Sequence, residues 1–491
     1  MTSTTVARPT LQWNARTWGA LIVLCGALFL DGLDVSMVGM ALPSIRTDLH
    51  LSTSSLQWIV SGYVLGYGGL LLLGGRAADL LGRRRIFLLA LGVFAAASLL
   101  GGLVSSPGLL IGTRFIKGVA AAFTAPAGLS IITTSFPEGP ARNRALSIYT
   151  ACGASGFSMG LILGGLLTEV GWRWTFLLPV PIALAALVAG RKLIANDGHG
   201  ERNGRGYDLA GAVTATGAML LLVYAVVQAP SVGWGSLQTL LSLLGVVVLL
   251  AAFVVVEQRT THPLVRLGIL RSASLTRANI GAMTVFGAYV GFQFVGTLYL
   301  QSMLHWSPLK TALAFLPAGI LVAIGAPNVG KLADRIGTSW VLIAGSLAFV
   351  IGYPLALRFN AAPNYAVIIL PTILLLGLGF ALSFPSLNIQ ATAGVKNDEQ
   401  GLASGLVNTS FQIGGAVVLA IVTAVVSSGG GNGSAADLLH SYHTAIAVVT
   451  GVAALGLVVA LGGLVHRRQP ADELEGVSAR PAEPALVDAI D

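Results

Sequence analysis

Residues 29–43 read FLDGLDVSMVGMALP, and they decide the fold because they set two carboxylates inside an apolar segment that runs from about Trp18 to Pro43. At ~1.5 Å rise per residue, a helix of that length crosses a ~30 Å hydrocarbon layer. An acidic side chain at such a depth costs at least ~2.5 kcal/mol, so it normally faces a cavity and has a function. Asp31 and Asp34 share one helix face, where two carboxylates resist being ionised together. The stretch predicts a membrane-spanning helix that carries protons.

The composition of the whole chain is that of a multispanning membrane protein. Of its 491 residues 55% are hydrophobic and 10% are charged, whereas about 25% of the residues of a soluble protein are charged. The two cysteines, Cys25 and Cys152, both lie in predicted spans, so no disulfide framework is expected. The net charge of +8 does not indicate a nucleic-acid partner, because the charges fall between apolar runs.

Apolar runs of about 18 residues or more predict fourteen transmembrane helices. They lie near 18–43, 56–76, 86–105, 108–133, 146–168, 174–193, 209–229, 237–256, 278–302, 312–329, 340–359, 365–387, 404–426 and 444–465. The predicted organisation is a cytoplasmic N-terminus (1–17), a six-helix bundle (18–193), a cytoplasmic loop (194–208), two inserted helices (209–256), a cytoplasmic linker (257–277), a second six-helix bundle (278–466) and a disordered cytoplasmic tail (467–491). The first span is too long for a signal peptide and is expected to be retained.

Most of the 28 basic residues fall in segments on one side of these spans, so the positive-inside rule predicts that both termini are cytoplasmic.

The chain also repeats: residues 75–85 read GRAADLLGRRR and residues 330–337 read GKLADRIG, at equivalent places in the two bundles. Such symmetry is typical of secondary transporters, whose substrate site lies near the midplane between the halves. The two inserted spans carry no charges and are expected to face lipid.

Several motifs, in order along almost the whole chain, resemble the major facilitator superfamily and its fourteen-helix drug:proton antiporter branch. Residues 75–85 resemble the loop signature of the superfamily, and residues 33–43 resemble the first-helix motif of the branch. Further pieces are residues 114–121, 172–176, 262–265, 299–301 and 401–409. The resemblance implies an all-α membrane protein, with two six-helix bundles plus two central helices, that exports drugs by proton antiport.

The loop signature acts in the family as a cytoplasmic latch between the halves. Its aspartate, here Asp79, would lie near a helix N-terminus of the opposite half, where the helix dipole stabilises a carboxylate. The arginines would complete a charge network or would only anchor the topology. The residues that the resemblance assigns to the latch are Gly75, Asp79, Gly82, Arg83 and Arg84, with Asp334 and Arg335 in the second half.

Arg114 is predicted to lie within ~5 Å of the depth of Asp34, so that the two could pair. The resemblance links this arginine to proton movement. The alternative is that Arg114 and Asp34 form a static buried pair that only fixes the packing of their helices. Lys117 stands where the family more often has glutamine, and it would add a second cation or line the cavity. Asp34 occupies the motif position and is the favoured proton carrier. Asp31 is then either a second proton site or a counter-charge for cationic substrates.

The fifth span carries glycines three or four residues apart, Gly153, Gly156, Gly160 and Gly164, followed directly by Gly165, and they form a face that allows close backbone contact. This face resembles the antiporter signature of the family, although Leu161 stands where that pattern usually has proline. In the second half, amide and aromatic side chains at span depth would suit bulky amphipathic drugs or would only hold helices together. The predicted cavity residues are Lys117, Tyr289, Gln293, Asn388, Asn408 and Gln412, and phenylalanines 286, 292, 294 and 411 lie near them in sequence.

No nucleotide-binding loop, metal-ligand cluster or nucleophile triad occurs in the sequence, so we expect neither an enzyme nor a cofactor. The expected function is proton-coupled efflux of hydrophobic or cationic drugs across the bacterial cytoplasmic membrane. The expected partners are a small-molecule drug or metabolite, protons and membrane lipid. Three alternatives stay open: export of one metabolite or self-made antibiotic, proton symport, which Leu161 keeps open, and a non-transporting membrane sensor on the same scaffold.

Overall fold

The computed structural model describes residues 14–136, 140–196, 209–260, 268–269, 272–393, 395, 400–429 and 435–465, and these residues form helices and no strand. The predicted tail (467–491), residues 1–13 of the predicted N-terminus, residues 197–208 of the predicted loop, and residues 261–267 and 270–271 of the predicted linker lie outside the described residues. The first half contains α1 (Ala15–Asp48), α2 (Thr53–Leu81), α3 (Arg83–Leu103), α4 (Pro107–Ser135), α5 (Pro140–Val170), α6 (Trp174–Leu177) and α7 (Pro179–Leu193).

The inserted pair is α8 (Leu209–Val232) and α9 (Leu237–Arg259). The second half begins with α10 (Ala273–Leu298), which continues as a π-helical turn (Tyr299–Met303), and with α11 (Pro308–Gly325) and α12 (Val329–Ile336). It ends with α13 (Thr338–Leu355), a π-helical turn (Tyr365–Ile369), α14 (Leu370–Thr392), α15 (Gln400–Gly429) and α16 (Ala435–Val465).

Among the described residues, thirteen segments are long and apolar enough to cross a membrane. The 29-residue helix α2 makes the fourteenth, and the predicted all-helical class is confirmed. Two predicted spans are interrupted at prolines. The span 174–193 is divided into α6 and α7 at Pro179, and a 3₁₀ turn around Pro327 separates α11 from α12. Proline lacks an amide hydrogen for the helix ladder, and it contributes to both breaks, whereas Pro43, Pro126 and Pro385 lie inside continuous helices.

The two repeated motifs have the same backbone conformation. Gly82 (φ 97°, ψ 121°) joins α2 to α3, and Gly337 (φ 88°, ψ 140°) joins α12 to α13. A positive φ of this kind is accessible to glycine without strain. The internal repeat read from the sequence therefore recurs as the same sharp turn at equivalent places in the two halves.

The two halves contact each other at mid-depth and at one end of the molecule. We call the end at which α1 begins the start face and the opposite end the far face. One apolar cluster joins the last part of α1, including Met40 and Ile45, to second-half helices, whereas the cluster around Leu24 and Phe87 nearer the start face contains only first-half residues among those described. At the far face the amide of Leu309, at the beginning of α11, donates to Glu169 of α5 (3.2 Å). The helices close the space between the halves at the far face.

The inserted helices differ from each other in their surroundings. Helix α9 is largely exposed, with Leu240 and Leu244 on its surface, as expected of a lipid-facing helix. Helix α8 contacts both halves: its Val223 and Val227 are buried with Val64 of α2 and Ala416 of α15. Helix α8 therefore keeps exposed residues such as Val213 and in addition covers the junction between α2 and α15 on one side of the molecule.

Candidate functional site: a buried charge cluster beside an aromatic cluster

Asp34 lies between two cations from α4. Arg114 Nη1 donates to its Oδ2 and Lys117 Nζ donates to its Oδ1, and all three side chains are almost completely buried. The guanidinium of Arg114 also donates through Nε to the carbonyl of Ile59 (3.0 Å) and lies 4.7 Å from the ring centre of Tyr63. The sequence places Arg114 and Asp34 at similar depths in their spans, and in the structure the two side chains form an ion pair.

Lys117 belongs to this cluster rather than to a cavity wall. Its side chain has no exposed surface, and its ammonium lies 4.8 Å and 5.2 Å from the ring centres of Phe94 and Phe176. Because Arg114 and Lys117 are three residues apart on a helix, both reach the same carboxylate. Of the two roles that the sequence left open for Lys117, the structure places it in the first, as a second cation beside Asp34.

Asp31 lies one turn nearer the start face on the same side of α1. Its Oδ2 accepts a long hydrogen bond from Thr124 Oγ1 of α4 (3.5 Å), and 7% of its surface is exposed. With both carboxylates ionised, the charges of Asp31, Asp34, Arg114 and Lys117 sum to zero. Burying ions is costly unless they are paired, and of the two carboxylates it is Asp34 that is paired with Arg114 and Lys117.

The glycines of α5 hold this region together. A Cβ atom at Gly156, Gly160 or Gly164 would overlap the backbone of α1, and one at Gly165 would lie 2.5 Å from Ala312 of the second half. Only the absence of side chains lets α5 approach α1 so closely. Leu161 is buried in the apolar core between these glycines, and α5 continues through it as a regular helix.

The residues of the loop signature lie near the start face. The side chain of Asp79 is outside the described residues, and Gly75 lies in α2 with Gly82 at the turn. Arg84 donates to the carbonyl of Arg191 (2.6 Å) and to Asn196, so it ties the beginning of α3 to the end of α7 within the first half. Arg83 is partly buried, whereas Asp334 and Arg335 are exposed.

The second half contributes an aromatic cluster. Phe380 lies 4.5 Å from Tyr289 and 5.3 Å from Phe384, and Phe411 lies 4.8 Å from Phe384 and 5.8 Å from Phe286, measured between ring centres. Phe157 of α5 approaches Tyr289 from the first half at 5.9 Å. We call these six residues the aromatic cluster.

The predicted amides are distributed around this cluster. Gln293 lies close to Gly39 of α1, and Gln412 lies close to Gly68 of α2, so both are at contacts between the halves. Asn388 and Asn408 donate to carbonyls of their own helices, at Phe384 and Ser404 (both 2.9 Å). All four amide side chains are partly exposed, which is compatible with lining a cavity.

Three residues of this cluster, Tyr289, Phe286 and Phe411, are among those predicted from the sequence. Phe292, predicted near them, packs instead against Tyr353 in the core of the second half (5.4 Å between ring centres). The other three, Phe157, Phe380 and Phe384, were not predicted. Phe380 and Phe384 are four residues apart, so a search for aromatic pairs on one helix face could have found them. The position of Phe157 depends on how the halves meet, and no local pattern signals it.

A multispanning bundle of two pseudo-symmetric halves, with a charged cluster buried in one half and an aromatic cluster between them, defines the class of membrane transporters. The sequence model of the Major Facilitator Superfamily matches residues 24–419 and 330–486, and the chain belongs to this superfamily. It is therefore a transporter of this superfamily.

The chain is 37% identical to the puromycin resistance protein pur8 of Streptomyces alboniger, over 96% of each chain. It is also 37% identical to the cephamycin export protein CmcT of Amycolatopsis lactamdurans (90% of this chain, 91% of that protein). The multidrug resistance protein Stp of Mycobacterium tuberculosis is 33% identical (82% of this chain, 74% of that protein).

Solved transporters have the same fold. The POT family transporter PepTSo superimposes with a TM-score of 0.68, over 92% of this chain and 99% of that chain, at 16% identity. A bacterial homologue of the human lysosomal transporter Spinster, in an inward-facing and occupied conformation, gives a TM-score of 0.67 at 14% identity, over 93% of this chain and 98% of that chain. At this identity the likeness concerns the fold alone.

Proposed function

We propose that the protein exports hydrophobic or cationic drugs from a bacterial cell in exchange for protons. The observation that carries this proposal is the buried cluster of Asp31, Asp34, Arg114 and Lys117. Ionisable groups inside membrane spans are costly and mark ion pathways. When all four groups are ionised, their charges sum to zero. Binding of one proton gives the cluster a net charge of +1, and this change can be coupled to movement of the halves.

The aromatic cluster and the amides near it are the proposed substrate site. Aromatic rings bind flat apolar drugs by stacking and bind cations through their faces. The resistance and export proteins named above support antibiotics or similar drugs as the substrate class. Tyr289, Gln293, Asn388, Asn408 and Gln412 are the proposed contacts, together with Phe157 and Phe380.

Export requires that the site opens to one side of the membrane at a time. The halves rock about the contact between Ser158 of α5 and Gly319 of α11, while the far-face contact between Glu169 and Leu309 opens. The loop signature holds the start face closed in the alternate state through Asp79, Gly75, Gly82, Arg83 and Arg84. Asp334 and Arg335 play the equivalent part in the second half. The basic residues at the start face support a cytoplasmic start face with both termini in the cytoplasm.

The test uses the purified full chain in liposomes that are acidic inside and neutral outside, with puromycin and ethidium as probes. If the chain exchanges drug for protons, the outward proton gradient drives accumulation of the probe, and nigericin, which collapses the gradient, abolishes it. The double variant Asp31→Asn/Asp34→Asn should lose this accumulation. Asp48→Asn is the matched control, because Asp48 lies at the far end of α1, where it binds Trp172 and Arg173.

The second candidate is export of one self-made antibiotic, and the resemblance to the cephamycin export protein favours it. Competition against puromycin transport separates the two readings: a broad set of competing drugs indicates multidrug export, and a single competitor class indicates a dedicated exporter. Absence of gradient-driven flux for every compound tested, in chain that is folded, would contradict transport and favour a membrane sensor.

A further inference from the structure

We propose that Asp31, and not Asp34, takes up and releases the transported proton, while Asp34 stays ionised between Arg114 and Lys117. This inference rests on the proton-coupled export proposed above and assigns its proton to one side chain.

The two oxygens of Asp34 are already occupied. Arg114 binds Oδ2 and Lys117 binds Oδ1, and Asp34 has no exposed surface. A proton on Asp34 would displace a cation from one of these oxygens and leave it buried without its counter-ion. Removing one partner of a buried ion pair is strongly unfavourable. Asp34 is therefore suited to hold the two cations in place rather than to exchange protons.

Asp31 has the opposite surroundings. Among the described residues it forms no ion pair, and its hydrogen bond from Thr124 is long at 3.5 Å. It keeps 7% of its surface exposed. Protonating Asp31 breaks no ion pair, and the protonated carboxyl can still bond to the hydroxyl of Thr124, which both donates and accepts. The proton can therefore bind and leave without disrupting the cluster.

Asp31 has charged and hydroxyl neighbours on four helices: Asp34 on α1, Lys117 and Thr124 on α4, Tyr63 and Tyr67 on α2, and Tyr149 on α5. Of these, Thr124 and Tyr149 lie on the start-face side of Asp31. The hydroxyl of Tyr149 donates to the carbonyl of Ala125 (3.1 Å), the residue that follows Thr124. The hydroxyls of Thr124 and Tyr149 therefore lie on the start-face side of Asp31, inside the first-half bundle and apart from the aromatic cluster.

The charge count explains how this proton opposes the substrate. With Asp31 ionised the four groups sum to zero, and with Asp31 protonated they sum to +1. A cation bound between the halves is repelled by the protonated cluster and not by the neutral one, and charges interact strongly in a poorly hydrated interior. Because coupling between two ligands is reciprocal, binding of the cation in turn expels the proton. Lys117 is what makes the ionised cluster neutral.

The test measures ethidium binding and proton release with the purified full chain in weakly buffered detergent. In the wild type, ethidium should release protons, and its Kd should rise by ~5-fold or more between pH 8 and pH 6, within the usual range for coupled ligands. In Asp31→Asn the release should disappear and the Kd should change by less than ~2-fold over the same range. Asp31→Asn should still exchange ethidium across liposomes without a gradient, and Asp31→Glu should restore proton release.

Several outcomes would overturn the inference. Proton release that persists in Asp31→Asn would exclude Asp31 as the carrier and leave proton-coupled export standing. Loss of ethidium exchange in Asp31→Asn, with no recovery in Asp31→Glu, would assign Asp31 a structural role. If the wild type itself releases no protons and shows no gradient-driven accumulation, the proposed function fails together with the inference.

Discussion

A single carboxylate, Asp34, forms ion pairs with two cations, Arg114 and Lys117, which lie about one turn apart on α4. Lys117 is a long, strongly hydrated side chain that rarely lies in a membrane interior, and here it has no exposed surface. Its ion pair with Asp34 and its two aromatic neighbours replace the water that it loses. At the scale of the residue, the stability of this part of the bundle depends on the charges being matched.

Replacing Lys117 tests this matching. Lys117→Met keeps the volume and removes the charge, so Asp34 loses one of its two partners and the protein should be destabilised by about 3 kcal/mol. The measurement is the free energy of unfolding in detergent. Lys310→Met is the control: Lys310 is exposed and lies 4.1 Å from the ring centre of Trp306, so its loss should cost no more than about 1 kcal/mol. Equal effects of the two substitutions would contradict a stabilising role for the buried ion pair.

Helix α5 packs against α1 in the first half and against α11 in the second half. One face of α5 is lined by Gly156, Gly160 and Gly164. This face lies against the backbone of α1 at the level of the charge cluster. The same helix presents Gly165 and Ser158 to α11, where Ser158 donates to the carbonyl of Gly319 (3.2 Å). Helix α5 therefore connects the geometry of the cluster to the contact between the halves.

A single methyl group tests the glycine face. In Gly160→Ala, the new Cβ would lie 2.5 Å from the carbonyl oxygen of Leu33 and still closer to Ser36 Oγ, so α1 and α5 must move apart. Overpacking of this kind should destabilise the protein by about 1–3 kcal/mol and lower the melting temperature measured in detergent.

Gly26→Ala is the matched control on α1, because nothing lies within 4 Å of a Cβ at Gly26. Alanine is the better helix former, so this variant should melt at the same temperature as the wild type or slightly higher. A melting temperature lowered equally by both substitutions would mean that the close approach of α1 and α5 at Gly160 does not limit stability.

The whole molecule is closed at its far face. Gln301 of the second half donates to the carbonyl of Met40 in α1 (3.1 Å), and Glu169 accepts from the amide of Leu309 (3.2 Å). A carboxylate at a helix N-terminus is favoured by the helix dipole, so Glu169 stabilises this closed arrangement. Transport requires that these contacts separate and form again in each cycle.

Cross-linking across the far face tests this requirement. In a Cys25→Ser/Cys152→Ser background, the pair Glu169→Cys/Leu309→Cys should react with a short bis-methanethiosulfonate linker and lose drug accumulation. A reductant should restore it, because cleaving the linker frees the halves. The single-cysteine variants treated with the same linker are the controls. Full transport by the cross-linked protein would show that the far face does not open.

Much of the fold and part of the site could be predicted from the sequence. Hydropathy and the rise of a helix are local properties, so they determined the membrane class, the helix count, the repeat at Gly82 and Gly337, and the matching depths of Asp34 and Arg114. The rotation of each helix about its axis and its choice of neighbours are not local. Only the tertiary structure decided that Lys117 shares Asp34 with Arg114, that Phe157 reaches Tyr289, and that α8 covers the junction between α2 and α15, because these contacts depend on packing between segments far apart in the chain.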